Sequence, residues 1–425
     1  MPTYPDTFYA RSVATTRARA SLQGRVEADC CVVGGGLAGL TCAHELAKAG
    51  RSVVLLEAEA VGWGASGRNG GFVGPGYARS YSSIAGAIGE TQANELYALS
   101  IEGMEMVRET IREQDIAEAA PIPGKISVVR YDSGDALERN RDRLARQHGY
   151  AVEFWPTEQV REVLRSPKYH QALYDPHCFH IHPLNYARAL AAAIEAKGGV
   201  IFEQSRAAEV ELSGAQKRIA TASGDVRARH VVFAGGGYTD RLVPKLRASQ
   251  LPIATYVLTT EVAPEAIAAV IRTPSAISDD RRAGDYYRLV EGGRRLLWGG
   301  RITTRTSEPR DLAALLRRTM ISTYPELAPL KVELAWSGLM SYARHLMPQI
   351  GELQPGAWYC QGFGGHGLNT TAIGGRVVAE ALLDKGRRHE LFAPFGLVWN
   401  GGPFGTVAVQ GTYWRYQLMD WWRKR

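Results

Sequence analysis

The feature that most constrains the fold is a glycine-rich turn between a short apolar run and a helical stretch. The run Cys30-Cys31-Val32-Val33 ends at Gly34-x-Gly36-x-x-Gly39, and the helical stretch that follows ends at Gly50. A second apolar run, from Ser52 to Leu56, closes on Glu57. This spacing predicts a β-α-β unit of about thirty residues.

The same unit predicts a dinucleotide site. The free N–H groups and the dipole at a helix N-terminus favour a pyrophosphate. Glu57 follows the second strand, where a carboxylate can accept hydrogen bonds from a ribose. The cofactor-binding residues predicted in this unit are Gly34, Gly36, Leu37, Ala38, Gly39, Glu57 and Ala58.

Two further glycine clusters favour FAD over NAD. The segment from Gly62 to Gly71 can form neither helix nor strand, and only glycine lets backbone amides pass so close beneath an isoalloxazine ring. The cluster from Gly362 to Gly367 follows a predicted strand and precedes a predicted helix, so it can direct amides at the flavin N1/O2 edge. The remaining predicted FAD contacts are Gly64, Ala65, Ser66, Arg68, Asn69, Gly70, Gly71, Ala207, Gly235, Gly236, Gly364, Gly365, His366, Gly367, Leu368, Asn369 and Thr370.

These motifs resemble those of D-amino-acid-oxidase-type flavoproteins, in the branch of γ-glutamylputrescine, sarcosine and L-pipecolate oxidases. The resemblance runs from about Tyr9 to Leu391. Its matching segments are Val32-Val33-Gly34-Gly35-Gly36, Gly62 to Gly71, His182-Pro183-Leu184, Asp285-Tyr286-Tyr287-Arg288, Trp336-Ser337-Gly338 and Gly365-His366-Gly367.

The resemblance implies an FAD-dependent enzyme that passes hydride from a carbon bearing a neutral amine to flavin N5, giving an imine. Within the branch, the stretch from Ser337 to Arg344 and the aromatic C-terminus favour an L-pipecolate oxidase acting in lysine degradation. γ-Glutamylputrescine oxidation is the alternative, and a non-catalytic flavin subunit of a larger dehydrogenase stays open. O2 or a respiratory-chain acceptor would take the electrons.

The implied fold is mixed α/β: a Rossmann-type FAD-binding domain with an interleaved, mixed-sheet substrate domain. The predicted FAD-binding domain takes residues 27–85, 181–250 and 335–390, because the flavin segments are dispersed along the chain. The predicted substrate domain takes residues 86–180 and 251–334, and residues 391–425 form an aromatic and basic tail.

Four residues are predicted to act on the substrate. Sarcosine-oxidase-like members carry a carboxylate-holding lysine where this chain has Asn369, so that role is expected at Arg344, with Arg288 and Arg301 as alternatives. Tyr256 and Tyr287 are expected to cover one face of the flavin ring, although aromatic residues on strands more often belong to the hydrophobic core. His366 lies in the flavin loop and can serve through its side chain or its backbone.

Composition excludes several other classes of protein. The net charge of +7 comes with no long Lys/Arg stripe before the last three residues, which disfavours a nucleic-acid partner. A modest positive field would also suit an anionic substrate. The five cysteines include no C-x-x-C pair, so free thiols in the cytoplasm are expected. The histidines His177, His180 and His182 lack a second ligand set, so no metal is predicted. The segment from Gly62 to Gly71 contains neither His nor Cys, so the FAD is expected to be non-covalent.

The composition of the last dozen residues predicts that this segment contacts the inner membrane peripherally or contacts a membrane-bound acceptor. No run of about 18 apolar residues is present to span a bilayer. Written as a helix, the segment places Trp414, Leu418, Trp421 and Trp422 on one broad face, away from Arg415, Arg423 and Lys424. Packing of this face on the protein itself or on a second subunit is the competing interpretation.

Overall fold

The computed structural model describes residues 4–15, 17–281 and 284–422. The strands in these ranges are β1 Gly24–Val33, β2 Val53–Leu56, β3 Phe72–Val73, β4 Ile122–Val128, β5 Glu153–Trp155, β6 Ala172–His180, β7 Val200–Phe202, β8 Glu209–Glu211, β9 Lys217–Ala220, β10 Gly224–Phe233, β11 Gln250–Thr260, β12 Ala276–Asp279, β13 Tyr286–Val290, β14 Arg295–Thr303, β15 Val332–Ala343, β16 Gln349–Gln354 and β17 Ala357–Gln361.

The helices are α1 Phe8–Arg11, α2 Leu37–Lys48, α3 Tyr81–Ile88, α4 Glu90–Glu113, α5 Gly134–His148, α6 Thr157–Val163, α7 Pro183–Ala196, α8 Pro244–Ala248, α9 Pro264–Val270, α10 Leu312–Thr323, α11 Gly367–Leu382 and α12 Gly402–Trp422. Among the described residues, no helix is both long and apolar enough to cross a membrane.

The first sheet is built around the predicted β-α-β unit. Its strands follow the order β16-β17-β10-β1-β2-β7, and the five strands from β17 to β7 run parallel. The short strands β8 and β9 extend β10 in antiparallel pairing. Parallel pairing requires crossover connections, which α2 supplies between β1 and β2.

Both faces of the first sheet are covered, as its continuous apolar strands predict. Cys30 and Val32 face the core that includes α2, α7 and α11, while Cys31 faces a second core against Ile219 and Leu246. The two adjacent cysteines therefore point to opposite faces of β1, and both are free thiols.

The second sheet is mixed, with the order β15-β11-β14-β13-β12-β4-β6-β3 and β5 paired beside β6. Only the β12–β4 pair among these is parallel. The predicted mixed α/β fold is confirmed.

The domain ranges stay a proposal, with one boundary that the structure moves. Strand β15 pairs with β11 from Val332 to Ala343, so it belongs to the second sheet. The predicted boundary at residue 335 cuts through this strand. The sequence predicts a strand here, but it does not predict which strand pairs with it, because an apolar strand can join either sheet.

Candidate active site

A cavity of about 720 Å³ lies between the two sheets. Val33, Leu56 and Phe233, the last residues of β1, β2 and β10, line one side of it. Residues of β11, β13, β14 and β15 line the other. Ligands of open α/β sheets bind outside the carboxyl ends of the strands, so this cavity is the candidate active site.

Helix α2 turns its first amides towards the cavity. Its N-terminal cap is Gly36, and Leu37 and Ala38 line the cavity beside it. Gly34 has a φ of 117°, and a Cβ on it would lie 2.7 Å from the Ala234 carbonyl oxygen. Only glycine therefore allows this turn, which leaves a helix N-terminus open to a pyrophosphate.

Glu57 is held at the end of β2 by two backbone amides. Its Oε2 accepts the Gly35 N–H at 2.6 Å, and its Oε1 accepts the Glu59 N–H at 2.8 Å. Burial raises the pKa of Glu57, and the two amide bonds oppose that rise. A buried carboxylate at this place can accept ribose hydroxyls.

Arg68 brings an unsatisfied donor to the cavity wall. Its guanidinium lies 4.1 Å from the centre of the Trp63 ring, and its Nε donates to the Trp63 carbonyl oxygen at 2.7 Å. Within the described residues its Nη2 is buried and has no hydrogen-bond partner. Burial lowers the pKa of Arg68, but a guanidinium stays charged in proteins. A phosphate or flavin carbonyl oxygen would satisfy this donor, so the residues present fit FAD.

The last glycine cluster opens helix α11. His366 is its N-terminal cap, and Gly364, Gly365 and Gly367 line the cavity around it. His366 itself lines the cavity, and burial and, to a lesser degree, the nearby Lys125 lower its pKa to about 4. The imidazole is therefore neutral at neutral pH.

Most of the predicted FAD contacts line the cavity: Gly34, Gly36, Leu37, Ala38, Glu57, Ala58, Gly64, Ala65, Ser66, Arg68, Asn69, Gly70, Ala207, Gly235, Gly236, Gly364, Gly365, His366, Gly367, Leu368 and Asn369. Trp63, Tyr238 and Thr371, which the sequence motifs did not indicate, line it as well. Gly367 lines the cavity, and Thr371 follows it by four residues on the same face of α11, which could have indicated Thr371.

Three predicted contacts lie behind the cavity wall. A Cβ on Gly39 would lie 2.1 Å from the Gly34 carbonyl oxygen, so Gly39 lets α2 pack on its own turn. A Cβ on Gly71 would lie 2.2 Å from the Ile181 carbonyl oxygen. The Thr370 hydroxyl donates to the His366 carbonyl within α11. These residues shape the site without facing it.

Two of the four predicted substrate residues are core side chains. Tyr287 is fully buried, stacks on Trp298 at 4.2 Å, and shares hydrogen bonds with the hydroxyls of Tyr169 and Tyr324. Tyr256 packs in the same core cluster. Side chains alternate along a strand, so the neighbours Tyr286 and Thr255 line the cavity instead.

Arg344 does not reach the cavity. It is exposed just past the end of β15 and lines a separate surface pocket with Arg79 and His345. The alternative Arg288 is buried and structural: it donates to the carbonyl oxygens of Gly70 and Ile181. The prediction that Arg344 lies at the substrate is therefore wrong in this structure.

Asn369 and the histidines have structural partners. Asn369 Nδ2 donates to the Gly76 and Ser100 carbonyl oxygens, which joins α11 to the loop between β3 and α3 and to α4. His182 Nδ1 accepts the Asn185 N–H and caps α7. His180 Nε2 lies 2.8 Å from the Pro274 carbonyl oxygen.

The substrate side of the cavity contains ionic side chains of both signs. Asp279 binds Arg130 at 2.7 Å and Arg281 at 2.8 Å, and Asp285 also binds Arg281. This network matches two carboxylates with two guanidinium groups. Burial raises the pKa of Asp285 to about 6, and the Arg281 charge opposes that rise.

Arg301 and Lys125 add two cations that this network does not neutralise. Both line the cavity, and neither has a carboxylate within ion-pair distance in the part of the chain that the structure describes. Arg301 has a φ of 55° and sits where the pairing of β11 with β14 shifts register. Such a bulge redirects a side chain, which explains why sequence periodicity did not single out Arg301.

The fold and the cavity together define an oxidoreductase that binds a flavin dinucleotide. The chain matches the family model described as DAO, FAD dependent oxidoreductase, over residues 29–381, and it belongs to that family. FAD is the cofactor, and the enzyme oxidises amine or amino-acid substrates. When bound, the flavin would supply the hydride acceptor, and the residues that line the cavity are those in position to contact a substrate.

Three known proteins illustrate the similarity. The γ-glutamylputrescine oxidoreductase of Escherichia coli K12 is 34% identical over 396 residues, 92% of each chain. The glycine oxidase of Pseudomonas aeruginosa is 24% identical over 359 residues, 83% of this chain and 93% of the relative. The crystal structure of glycine oxidase from Geobacillus kaustophilus matches with a TM-score of 0.74 and 23% identity, covering 88% of this chain and 98% of the other.

Proposed function

We propose that this enzyme oxidises γ-glutamylputrescine or a closely similar γ-glutamylated diamine. The reacting group is the terminal amine of the diamine chain. The observation that carries the proposal is the 34% identity to the Escherichia coli γ-glutamylputrescine oxidoreductase across 92% of both chains. L-Pipecolate, the substrate first expected from the sequence, has no comparable support among these relatives.

The charges on the substrate side of the cavity support the same choice. γ-Glutamylputrescine carries a carboxylate far from the amine that is oxidised, so its recognition needs a cation away from the reacting carbon. Arg301 and Lys125 are cations at the cavity wall without described ion-pair partners. A guanidinium can bind a carboxylate through two parallel hydrogen bonds, so we assign the carboxylate contact to Arg301.

The amine end needs only neutral surroundings, because the reacting amine must be unprotonated when hydride leaves its carbon. His366 is neutral at neutral pH and the Tyr342 hydroxyl lies beside Gly365 in the same wall. Burial raises the pKa of Tyr342 to about 12, so this group also stays neutral. The site therefore requires no side chain as an essential general base, and it acts mainly by positioning.

Anaerobic reduction of the bound flavin tests the substrate. Purified enzyme is mixed with γ-glutamylputrescine, putrescine, L-pipecolate, L-proline, sarcosine or glycine, and the loss of flavin absorbance is followed. γ-Glutamylputrescine should reduce the flavin at the lowest concentration. Putrescine has the same reacting amine but no carboxylate, so it should require at least a tenfold higher concentration. Faster reduction by L-pipecolate would overturn the proposal.

The electron acceptor belongs to the same proposal. We propose that the reduced enzyme passes its electrons to O2 or to a respiratory-chain acceptor, and that the C-terminal segment brings the cavity close to a membrane surface. Peroxide released in air during turnover identifies O2 as the acceptor. Turnover that requires an added quinone identifies a respiratory-chain acceptor.

A further inference from the structure

The outward face of helix α12 exposes a continuous row of apolar side chains. Phe404, Val407, Trp414 and Leu418 are 82%, 71%, 64% and 55% exposed. Their spacing of three, seven and four residues places them on one face of the helix. The chain contains no charged residue from Gly402 to Trp414, so this face has no charged edge over more than three turns.

Helix α12 is attached to the protein beside this row, through Gln410, and on its far side, through Tyr413. Gln410 Oε1 accepts hydrogen bonds from the Thr303 hydroxyl at 2.8 Å and from the Thr304 backbone and hydroxyl at 3.1 Å. Tyr413 is buried, and burial together with the neighbouring Tyr342 phenol raises its pKa. The helix is therefore fixed, and the exposed row does not result from a detached terminus.

A second surface feature lies beside the start of this helix. The pocket that contains Arg344 is lined by Arg79, Ser83, Arg344, His345, Leu346 and Val398. Leu346 and Val398 are 42% and 43% exposed, and the adjacent Trp399 is 62% exposed. Val398 belongs to the pocket, and the next residue, Trp399, lies 3.8 Å from where a Cβ on Gly402 would be, so the pocket adjoins the start of α12.

The two arginines of the pocket are available for an anion. Within the described residues neither Arg79 nor Arg344 has an ion-pair partner, and no carboxylate lines the pocket. Arg79 Nε donates only to the Ser83 hydroxyl, at 2.9 Å. His345 bonds to the Gly396 carbonyl oxygen, and burial lowers its pKa, so it adds no positive charge at neutral pH.

We propose that these two features form one docking surface for an anionic phospholipid bilayer, with the apolar row among the headgroups and acyl chains and the arginine pocket on a lipid phosphate. Aromatic and aliphatic side chains beside cations suit the interfacial zone of a membrane. A pair of arginines binds phosphate through several N–H groups. The side chains of Trp421 and Trp422, and residues Arg423 and Lys424, lie outside the described part of the chain and are not needed for this surface.

A second copy of the chain is the competing occupant, because the spacing of the row also fits helix pairing. Coiled-coil partners are usually selected by charges that flank the apolar seam, and α12 has none before Arg415. Symmetric pairing would also bring two cationic pockets into one assembly without supplying an anion to either of them. The charge pattern therefore favours an anionic surface.

Vesicle flotation of the full-length FAD-loaded enzyme tests this surface without turnover, so its outcome does not depend on the proposed substrate. Binding is measured on phosphatidylglycerol/phosphatidylcholine vesicles and on pure phosphatidylcholine vesicles. The row variant is Phe404→Ser with Trp414→Ser, and its matched control is Val200→Ser with Val262→Ser, at two exposed apolar sites elsewhere. The pocket variant is Arg79→Gln with Arg344→Gln, and its control is Arg51→Gln with Arg146→Gln, at two exposed arginines.

The wild type and both controls should bind the anionic vesicles at least tenfold more tightly than the neutral ones. The row and pocket variants should each lose at least tenfold in binding to anionic vesicles while keeping the FAD spectrum. Equal binding by the row variant and its control would overturn the proposal. A wild-type dimer in light scattering that only the row variant dissociates, without a change in vesicle binding, would assign the row to a second copy instead.

Discussion

The ring of Tyr286 lies directly against Gly70. A Cβ on Gly70 would lie 2.6 Å from Tyr286 Cε2, and both residues line the cavity. Gly70 belongs to the glycine segment predicted beneath the flavin, while Tyr286 begins β13 of the second sheet. This contact therefore joins the cofactor segment to the substrate sheet through a side chain that only glycine admits.

Replacing the tyrosines on β13 should separate their roles. Tyr287→Phe removes a hydroxyl from a fully buried network with Tyr169 and Tyr324, so it should cost about 1–2 kcal/mol in the free energy of unfolding. It should leave flavin reduction unchanged, because the side chain does not line the cavity. Tyr286→Phe should alter the reduction kinetics with less effect on stability. Chemical denaturation and stopped-flow absorbance measure the two effects, and a Tyr287→Phe enzyme with slow reduction would contradict this assignment.

Arg301→Met should weaken the binding of a carboxylate substrate by about ten- to a hundredfold. The expected loss follows from the roughly 1.5–3 kcal/mol contribution of a hydrogen bond to a charged group. The limiting rate of flavin reduction should change less, because the carboxylate lies away from the reacting carbon. Anaerobic titration gives both values. Arg344→Met is the control, since Arg344 lines a different pocket, and equal effects of both substitutions would contradict the role of Arg301.

Gly39→Ala should destabilise the fold more than it alters any direct cofactor contact. The added Cβ would lie 2.1 Å from the Gly34 carbonyl oxygen, so α2 must move away from its own turn. Overpacking of this kind costs about 1–3 kcal/mol. Thermal unfolding of FAD-free protein measures the effect. A variant as stable as the wild type without FAD would show that the turn tolerates a side chain.

FAD should leave the protein on acid precipitation, giving a colourless pellet and a yellow supernatant. The segment from Gly62 to Gly71 contains no His or Cys. Cys360 does line the cavity, but burial raises the pKa of its thiol far above neutral, so it is a poor nucleophile. A yellow pellet would show a covalent link, and Cys360→Ser would then test that residue.

Acid should destabilise the enzyme through His182. Burial, reinforced by the Arg288 charge, lowers the pKa of His182 from its usual 6.5 to about 4, so between these values the unfolded chain binds more protons. The stability that neutral His182 contributes is therefore present above pH 6.5 and falls as pH decreases towards 4. His182→Asn keeps an N-cap acceptor for the Asn185 N–H but cannot be protonated. Its Tm should fall less than that of the wild type between pH 7 and pH 5, and parallel curves would contradict this role.

The sequence indicated the cofactor side of the site much better than the substrate side. The glycines from Gly34 to Gly39 and from Gly362 to Gly367 belong to contiguous motifs whose backbone geometry follows from local spacing. The substrate side consists of single side chains on β4, β13, β14 and β15. Alternation along a strand predicts that Tyr286 and Tyr287 face opposite sides, but it does not identify the cavity side.

Arg301 illustrates a second limit of sequence reasoning. Its orientation depends on an irregular pairing between β11 and β14, which arises from contacts between distant segments. Arg344 has the residue type expected of a carboxylate ligand, but β15 ends one residue before it, and the chain turns towards the surface. Residue type alone could not distinguish these two arginines.

The attachment of α12 through Gln410 joins the helix that bears the exposed row to the strand that bears Arg301. The three hydrogen bonds that Gln410 Oε1 accepts from Thr303 and Thr304 anchor the helix two residues beyond Arg301, while the side chains of the row stay exposed. Substitutions along the row therefore need not change the residues that line the cavity. The proposed docking surface and the cavity can therefore be altered independently of each other.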